Sequence, residues 1–227
     1  MTDDKSEARA RTKEIAAEYA KKGDATSWFE ALYRESAGDT TKIPWADLEP
    51  NRYLAEWAEQ THIRGNGREA LVVGCGLGDD ARFLHHLGFK ATAFDISPTA
   101  IAWARKLHDE TDISFATADL FASPTEWHRA FDFVLEVYTI QPLPLEMRPE
   151  VIDAIAGFVA PGGRLLVVTR GRDNDEEPLE LPWALSRRDL SRFAENGLKE
   201  IDFREMPGDE DVPAVRFVVE YERETKP

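Results

Sequence analysis

The sequence predicts an α/β fold, a doubly wound, Rossmann-like sheet of seven strands that is mostly parallel and ends in an antiparallel hairpin. Three observations support this prediction. From about residue 67, apolar runs of strand length alternate with helical segments. A glycine-rich turn at residues 74–78, called the glycine loop below, joins the first run to a helix. The last two runs alternate by two around a Pro207-Gly208 turn rich in acids, which is typical of a hairpin.

The predicted elements follow a helical N-terminal cover in regular order. Helices are expected at 5–22, from Thr26-Ser27, which can cap the second helix, and at 51–60. Strands are expected at 70–73, 90–94, 113–117, 131–136, 164–169, 201–205 and 215–221. The helices between them are expected at 79–87, 98–108, 146–159 and 187–195, with a turn at Pro161-Gly162-Gly163. We expect a cover, residues 1–66, and a core, residues 67–227, within one structural domain.

The glycine loop is the strongest functional signal. Gly74, Gly76 and Gly78 let the backbone approach a ligand closely, and the following helix begins with free N–H groups. The next strand ends at Asp95 and Ile96. A carboxylate at that position can accept hydrogen bonds from both hydroxyls of a ribose. The pattern therefore predicts a nucleoside site.

Two further strands end in polar residues. Asp119 follows one strand and can accept from an adenine amine, while the Leu120 N–H faces a ring nitrogen; the alternative is that Asp119 caps a turn. Glu136 and Tyr138 end the following strand. Ligands bind at the carboxyl edge of an open parallel sheet, so we expect these side chains at the same site.

The order of glycines and acids distinguishes between two nucleoside cofactors. A dinucleotide site usually reads G-x-G-x-x-G and presses its turn on a pyrophosphate. Here the glycines alternate as G-x-G-x-G, and Asp79 and Asp80 follow directly. Carboxylates there disfavour a pyrophosphate and tolerate the sulfonium and ammonium of S-adenosylmethionine. Cys75 is expected to pack beneath this cofactor.

The chain resembles the class I S-adenosylmethionine-dependent methyltransferases from about Trp28 to its C-terminus. Residues 74–80, with Val72 where an acid often precedes the first glycine, are similar to the thiopurine, thiol and halide methyltransferase branch. Further motifs resemble that branch at Pro44-Trp45, Leu143-Pro144-Leu145-Glu146-Met147-Arg148 and Leu181-Pro182-Trp183. Gln141-Pro142 and Leu181 depart from its pattern. The resemblance implies methyl transfer with release of S-adenosylhomocysteine, without identifying the acceptor.

Four aromatic residues are expected around the cofactor and the acceptor. Trp28, Tyr33 and Trp45 match positions at which the thiol branch covers its cofactor, and Trp183 lies in the loop expected over the acceptor. Aromatic faces stabilise a cation by roughly 0.5 to 2 kcal/mol. We assign Trp28 to the cofactor and Tyr33 and Trp183 to the substrate, the alternative for Trp28 and Tyr33 being packing of the cover. Trp45 is expected to contact cofactor or substrate.

Arg148 is the expected contact for an anionic acceptor. The resemblance matches it to the branch's arginine, and a guanidinium can hold a carboxylate or a thiolate. The alternative is an ion pair with Glu146 or Glu150. Tyr138 and Gln141 are expected to line the same pocket. The candidate catalytic residues are therefore Trp45, Tyr138 and Arg148.

The amino-acid composition limits the kinds of partner that the protein is expected to bind. The net charge of −15 repels phosphate backbones, so nucleic acid is not expected to bind. One cysteine in 227 residues excludes an internal disulfide framework, and no leader or membrane span is recognised, which indicates a cytoplasmic protein. The histidines lie outside the strand ends, so no metal is expected. We expect a monomer or a weak homodimer.

The expected function is methyl transfer from S-adenosylmethionine to a small-molecule thiol or related soft nucleophile. Such a transfer needs alignment and exclusion of water more than acid–base groups, because a thiol is already partly ionised at neutral pH. Three alternatives stay open: an oxygen or nitrogen acceptor on a small metabolite, a non-catalytic protein that binds S-adenosylmethionine, and a nicotinamide oxidoreductase.

Overall fold

The computed structural model describes residues 2–178, 180–208 and 214–225. Its strands are β1 (Glu69–Val73), β2 (Lys90–Asp95), β3 (Ser114–Thr117), β4 (Phe131–Val137), β5 (Val159–Arg170), β6 (Leu198–Met206) and β7 (Arg216–Arg223). They form one sheet in the order β3-β2-β1-β4-β5-β7-β6. Strands β1 to β5 are parallel, and β7 is antiparallel to β5 and β6. The predicted fold class and the C-terminal hairpin are confirmed.

Helices cover both faces of the sheet. They are α1 (Thr2–Ala20), α2 (Ser27–Ser36), α3 (Arg52–Thr61), α4 (Asp79–His86), α5 (Pro98–Leu107), α6 (Arg148–Phe158), α7 (Arg187–Leu190) and α8 (Arg192–Glu195). One core lies between the sheet and α3, α4 and α5, and another lies between the sheet and α6, α7 and α8. Helices α1 and α2 form a smaller apolar cluster with the start of α5. None of the helices in the described ranges is long and apolar enough to cross a membrane.

The N-terminal cap of α2 differs from the prediction. Thr26 precedes the helix, but its side chain makes no capping hydrogen bond. The Asp24 carboxylate instead accepts from the backbone N–H groups of Thr26 and Ser27, at 3.1 and 2.9 Å. A carboxylate is a stronger acceptor than a hydroxyl, so the earlier residue takes the role. Asn51 caps α3 by accepting from the N–H groups of Tyr53 and Leu54.

Element boundaries shift around α6 and β5. Residues Leu145–Met147 form a 3-10 turn ahead of α6. Strand β5 begins at Val159, so the turn expected at Pro161-Gly162-Gly163 lies inside the strand. A methyl group on Gly163 would approach the Phe131 carbonyl oxygen to 2.8 Å, so close pairing with β4 requires glycine there. The predicted helix at 187–195 is divided into α7 and α8, and part of the acid-rich turn, residues 209–213, lies outside the described residues.

Candidate functional site

The glycine loop follows β1 in a conformation that requires glycine. Gly74, Gly76 and Gly78 have φ angles of 60°, 52° and 88°. A methyl group on Gly74 would lie 2.6 Å from the Thr139 hydroxyl, and one on Gly78 would lie 2.7 Å from the Phe115 ring. The loop is therefore held between the ends of β3 and β4 with no space for larger residues.

Asp95 lies directly beside this loop. Its carboxylate accepts from the Gly76 N–H at 3.0 Å and from the Ser97 N–H at 2.9 Å. The residue is buried, and desolvation raises the pKa of Asp95 although these hydrogen bonds lower it. The predicted pair of loop and acid is thus in contact, with the acid at the end of β2. Ile96, the next residue, is half-buried.

Acidic groups surround the start of α4. Burial raises the pKa of Asp80 to about 6, and its carboxylate accepts from the Asn51 N–H at 2.7 Å. Burial also raises the pKa of Asp79. His108, which the sequence analysis gave no part in the loop, lies with Nε2 3.0 Å from the Leu77 carbonyl oxygen. The loop therefore has an acidic surrounding that favours a cation and a buried histidine beneath it.

The N-terminal cover contacts the glycine loop through aromatic residues. The Trp45 indole donates to the Tyr33 hydroxyl at 2.8 Å, and that hydroxyl would be 3.0 Å from a methyl group on Gly76. Tyr33 is buried, whereas Trp45 is 41% exposed. Trp28 is buried, packs edge-on against Trp45 at 6.3 Å and donates to the Ala25 carbonyl. These three aromatic residues form one cluster beside the loop.

The carboxylate of Glu30, which was not predicted from the sequence, joins the cover to the core by hydrogen bonds. Glu30 on α2 accepts from the Ser97 hydroxyl at 2.6 Å and from the Thr99 hydroxyl at 2.8 Å. It also accepts from the Thr99 N–H at 3.1 Å. These bonds hold α2 against the turn that follows Asp95. No local pattern marks Glu30, because its partners are 67 and 69 residues away.

The β3 edge of the site is more open. Asp119 is exposed and caps a 3-10 turn by accepting from the Phe121 N–H at 2.9 Å. This capping is the alternative role that the sequence allowed. Leu120 is half-buried.

Cys75, within the glycine loop, is half-buried. Desolvation, followed by the charge of Asp95, holds the pKa of its thiol well above the usual range.

Glu136 is the buried acid at the end of β4. Its Oε1 accepts from the N–H groups of Thr139 and Ile140, at 2.6 and 3.0 Å. Its Oε2 is buried without a hydrogen-bond partner among the described residues. Burial raises the pKa of Glu136 from 4.5 to about 7. An unpaired buried carboxylate oxygen is costly, so this group is suited to receiving a donor from a ligand.

Tyr138 and Gln141 follow β4. Tyr138 has a φ of 58°, and its hydroxyl accepts from Arg216 Nε at 3.0 Å. Gln141 is buried; its side chain accepts from the Arg170 N–H at 2.9 Å, and its carbonyl accepts from the Trp183 N–H at 2.8 Å. Gln141 therefore joins the end of β5 to the loop that contains half-buried Trp183.

Arg148 occupies a different setting from the one expected for a contact with an acceptor. It is buried and donates to Asp189 Oδ2 at 2.9 Å and to the Trp183 carbonyl at 3.0 Å. The predicted alternative partners, Glu146 and Glu150, are not the ones observed. Asp189 lies 41 residues further along the chain, on α7, and it comes close because α7 packs beside the start of α6. This contact ties Arg148 into the fold.

Two arginines at the carboxyl edge of the parallel strands were not predicted as site residues from the sequence. Arg170 ends β5 and Arg216 begins β7, and the two residues are direct partners in the antiparallel ladder. Neither is part of a recognisable motif. Their position depends on strand register, which the sequence analysis did not assign. No three histidine, cysteine or acidic side chains within the described ranges converge to hold a metal ion.

Comparisons with known proteins agree with this geometry. A family model described as "Methyltransferase domain" matches residues 70–163. A 2-heptyl-1-hydroxyquinolin-4(1H)-one methyltransferase of Mycobacteroides abscessus is 26% identical over 71% of this chain and 72% of its own length. The probable S-adenosyl-L-methionine-dependent methyltransferase TehB of Haemophilus influenzae is 26% identical over 58% of this chain, which spans only 44% of TehB.

Among solved structures, one reported under "Conversion of a Disulfide Bond into a Thioacetal Group during Echinomycin Biosynthesis" has the same fold. It superimposes with a TM-score of 0.71 and 21% identity, covering 89% of this chain and 93% of the other. The matched family segment contains β1 to the start of β5 and therefore the glycine loop, Asp95 and Glu136. Residues 70–163 are therefore a methyltransferase domain, and with the named relatives they identify an S-adenosylmethionine-dependent methyltransferase.

Proposed function

We propose that the chain methylates a small-molecule thiol or a related soft nucleophile that is already ionised at neutral pH. The observation that carries this proposal is the chemistry of the groups beyond β4 and β5. Among the described residues these groups include the amide of Gln141, the cations of Arg170 and Arg216, and Tyr138, whose pKa is raised by burial. Glu180 is paired with Lys13 at 2.6 Å, which lowers its pKa. None of these is a suitable base at neutral pH, and Glu136, whose pKa is about 7, is assigned to the ammonium group of the cofactor.

The residues around the glycine loop fit S-adenosylmethionine. The unpartnered Oε2 of Glu136 offers an acceptor for the ammonium group. Asp95 would accept from the ribose, and the backbone at Gly76 leaves a surface that a side chain would fill. Ile96, Asp119 and Leu120 would border the adenine. The remaining assigned contacts are Trp28, Gly74, Cys75 and Gly78.

The cofactor supplies an electrophilic methyl group when bound. The role of the protein is then to align the acceptor with it and to exclude water. Tyr33 and Trp45 would close the cover over the cofactor, with the Trp45 ring near the cation. Tyr138, Gln141 and Trp183 would border the acceptor. We also propose that residues 1–66 act as the cover of a core formed by residues 67–227.

An oxygen acceptor is the second candidate. It is favoured by the relative from Mycobacteroides abscessus, whose name describes a hydroxyquinolone methyltransferase. An acidic hydroxyl would meet the same condition as a thiol, because it also loses its proton near neutral pH without an enzymic base. The motifs at Pro44-Trp45 and Leu181-Pro182-Trp183 support the thiol branch and leave the thiol as the first candidate.

Isothermal titration and a transfer assay test the proposal. S-adenosylmethionine should bind and NAD should not, and radiolabelled methyl should reach thiols in a panel of thiols, phenols and amines. Asp95→Asn should weaken cofactor binding by about 1.5 to 3 kcal/mol, the scale of hydrogen bonds to a charged group. Transfer only to phenols would select the second candidate, and binding without transfer to any panel member would contradict both.

A further inference from the structure

Two arginines lie side by side at the edge where the parallel strands end. Arg170 and Arg216 are directly opposed partners on β5 and β7. Opposed residues in an antiparallel ladder point to the same face, with Cβ atoms about 4.5 to 5.5 Å apart. Two like charges in that position destabilise the sheet.

The two guanidinium groups differ in their surroundings. Arg216 is buried and donates to the Tyr138 hydroxyl and to the Ala214 carbonyl. Arg170 is half-buried, and its guanidinium has no hydrogen bond or ion pair with any residue that the structure describes. Desolvation, followed by the charge of Arg216, lowers the pKa of Arg170. Arginine nevertheless stays cationic at neutral pH, so this partly desolvated positive charge makes no ion pair within the part of the chain that the structure describes.

Other buried arginines in this chain are paired. Arg148 is bonded to Asp189. Arg223 donates to three backbone carbonyls, those of Val159, Ala156 and Asn196. The guanidinium of Arg170 has no such partner among the described residues, although the chain is rich in acids, with a net charge of −15. Glu180, whose charge acts on Arg170, is itself paired with Lys13.

Arg170 is placed between the cofactor loop and the cover. The order in which successive strands are added to the sheet reverses between β1 and β4. Ligands bind at such a switch point. The glycine loop follows β1, Tyr138 follows β4, and Arg170 ends β5, the next strand. Arg9 on α1 and Glu180 act electrostatically on Arg170 from the side of the cover. An acceptor placed over β4 and β5 would therefore lie next to this guanidinium.

We propose that Arg170 binds an acidic group of the methyl acceptor, so that the substrate is a small organic anion such as a carboxylate; this inference rests on the proposed function. The guanidinium fork matches a carboxylate, and binding would remove the like-charge repulsion with Arg216. It also explains how a strongly acidic protein attracts an anion, since a local cationic group offsets the repulsion of the whole surface. The role first expected of Arg148 is thereby transferred to Arg170.

The test uses two thiols that differ in one group, 4-mercaptobenzoate and 4-mercaptobenzamide. Each is titrated into the protein saturated with S-adenosylhomocysteine and is also assayed as a methyl acceptor. The wild type should bind the carboxylate at least tenfold more tightly than the amide, the scale of one charge-assisted hydrogen bond. Arg170→Gln should reduce this preference to less than about threefold, and Arg170→Lys should keep part of it.

Arg188→Gln is the matched control, because Arg188 is an exposed arginine on α7 outside the proposed acceptor site over β4 and β5. It should keep the wild-type preference, and all variants should bind S-adenosylhomocysteine as the wild type does. Equal affinity for the two thiols, no binding of either, or a preference unchanged in Arg170→Gln would overturn the inference while the methyltransferase proposal stood. Failure of the wild type to bind S-adenosylhomocysteine would overturn the proposed function and this inference with it.

Discussion

The indole nitrogen of Trp45 donates a hydrogen bond of 2.8 Å to the hydroxyl of Tyr33 directly beside Gly76. Tyr33 belongs to α2 and Trp45 to the segment after it, so the bond fixes the cover where it meets the glycine loop. The position of Trp45 therefore depends on a buried phenol. This arrangement makes the cover part of the predicted cofactor site.

Removing that hydroxyl should weaken cofactor binding. Tyr33→Phe keeps the ring but leaves the Trp45 N–H without its partner, so the dissociation constant for S-adenosylhomocysteine should rise about threefold to tenfold. Trp45→Ala should weaken it further and slow methyl transfer. Titration calorimetry measures both effects, and Leu107→Ala, at an exposed apolar position on α5, is the control. Unchanged binding in both cover variants would mean that the cover does not contact the cofactor.

A side chain at Gly76 should abolish cofactor binding. Gly76→Ala adds a methyl group 3.0 Å from the Tyr33 hydroxyl, on the surface left for the cofactor, at a φ of 52°. Gly67→Ala is the matched control, because Gly67 has a φ of 78° and open space around it. Both variants should lose about 1 kcal/mol of stability from the backbone. Only Gly76→Ala should lose cofactor binding. Equal affinities of the two variants for the cofactor would show that the glycine loop is only a structural turn.

The ion pair of Arg148 should matter for stability and not for acceptor recognition. Arg148→Met removes the donor to the Trp183 carbonyl and one donor to Asp189, which keeps Arg172 and Ser186, so the free energy of unfolding should fall by about 1.5 to 3 kcal/mol. Lys90→Met, which removes an exposed pair with Glu69, should change stability little. Denaturant unfolding provides the measurement. A stable Arg148→Met protein with a raised KM for the acceptor would restore the role first expected from the sequence.

The parts of the site that the sequence predicts are local ones. The glycine loop and Asp95 are read from a strand, a turn and the end of the next strand, and their contact at 3.0 Å follows from that pattern. The pairing of Arg170 with Arg216 depends on which strand lies beside β5 and in what register. Neither is encoded in a short motif, since both result from the packing of distant segments.

The same distinction explains the partner found for Arg148 and the correction at Thr26. Arg148 begins α6, in the segment after β4, but its partner Asp189 comes from α7, which only the tertiary fold brings near. Thr26 is a suitable capping residue by type, yet Asp24 competes for the same N–H groups and is the better acceptor. A residue's type predicts the chemistry available to it, whereas competition among neighbours in space decides its partner.

Glu136 should make both stability and cofactor binding depend on pH. Its folded-state pKa of about 7 lies above the ordinary 4.5, so the ligand-free protein prefers the protonated form. Stability is therefore reduced as pH rises from about 4.5 to 7, by a total of about 3 kcal/mol, and stays reduced above 7. The ionised form is the one that would accept from the ammonium of S-adenosylmethionine, so affinity should rise over the same range.

Glu136→Gln separates this effect from that of other acids. The variant keeps an acceptor for the N–H groups of Thr139 and Ile140 but cannot ionise. Its melting temperature should fall less than that of the wild type between pH 5 and pH 8, and its affinity for S-adenosylmethionine should lose most of the rise between pH 6 and pH 8. Asp80, with a pKa of about 6, remains in both proteins and contributes equally. Parallel pH profiles for the two proteins would show that Glu136 neither titrates in this range nor contacts the cofactor.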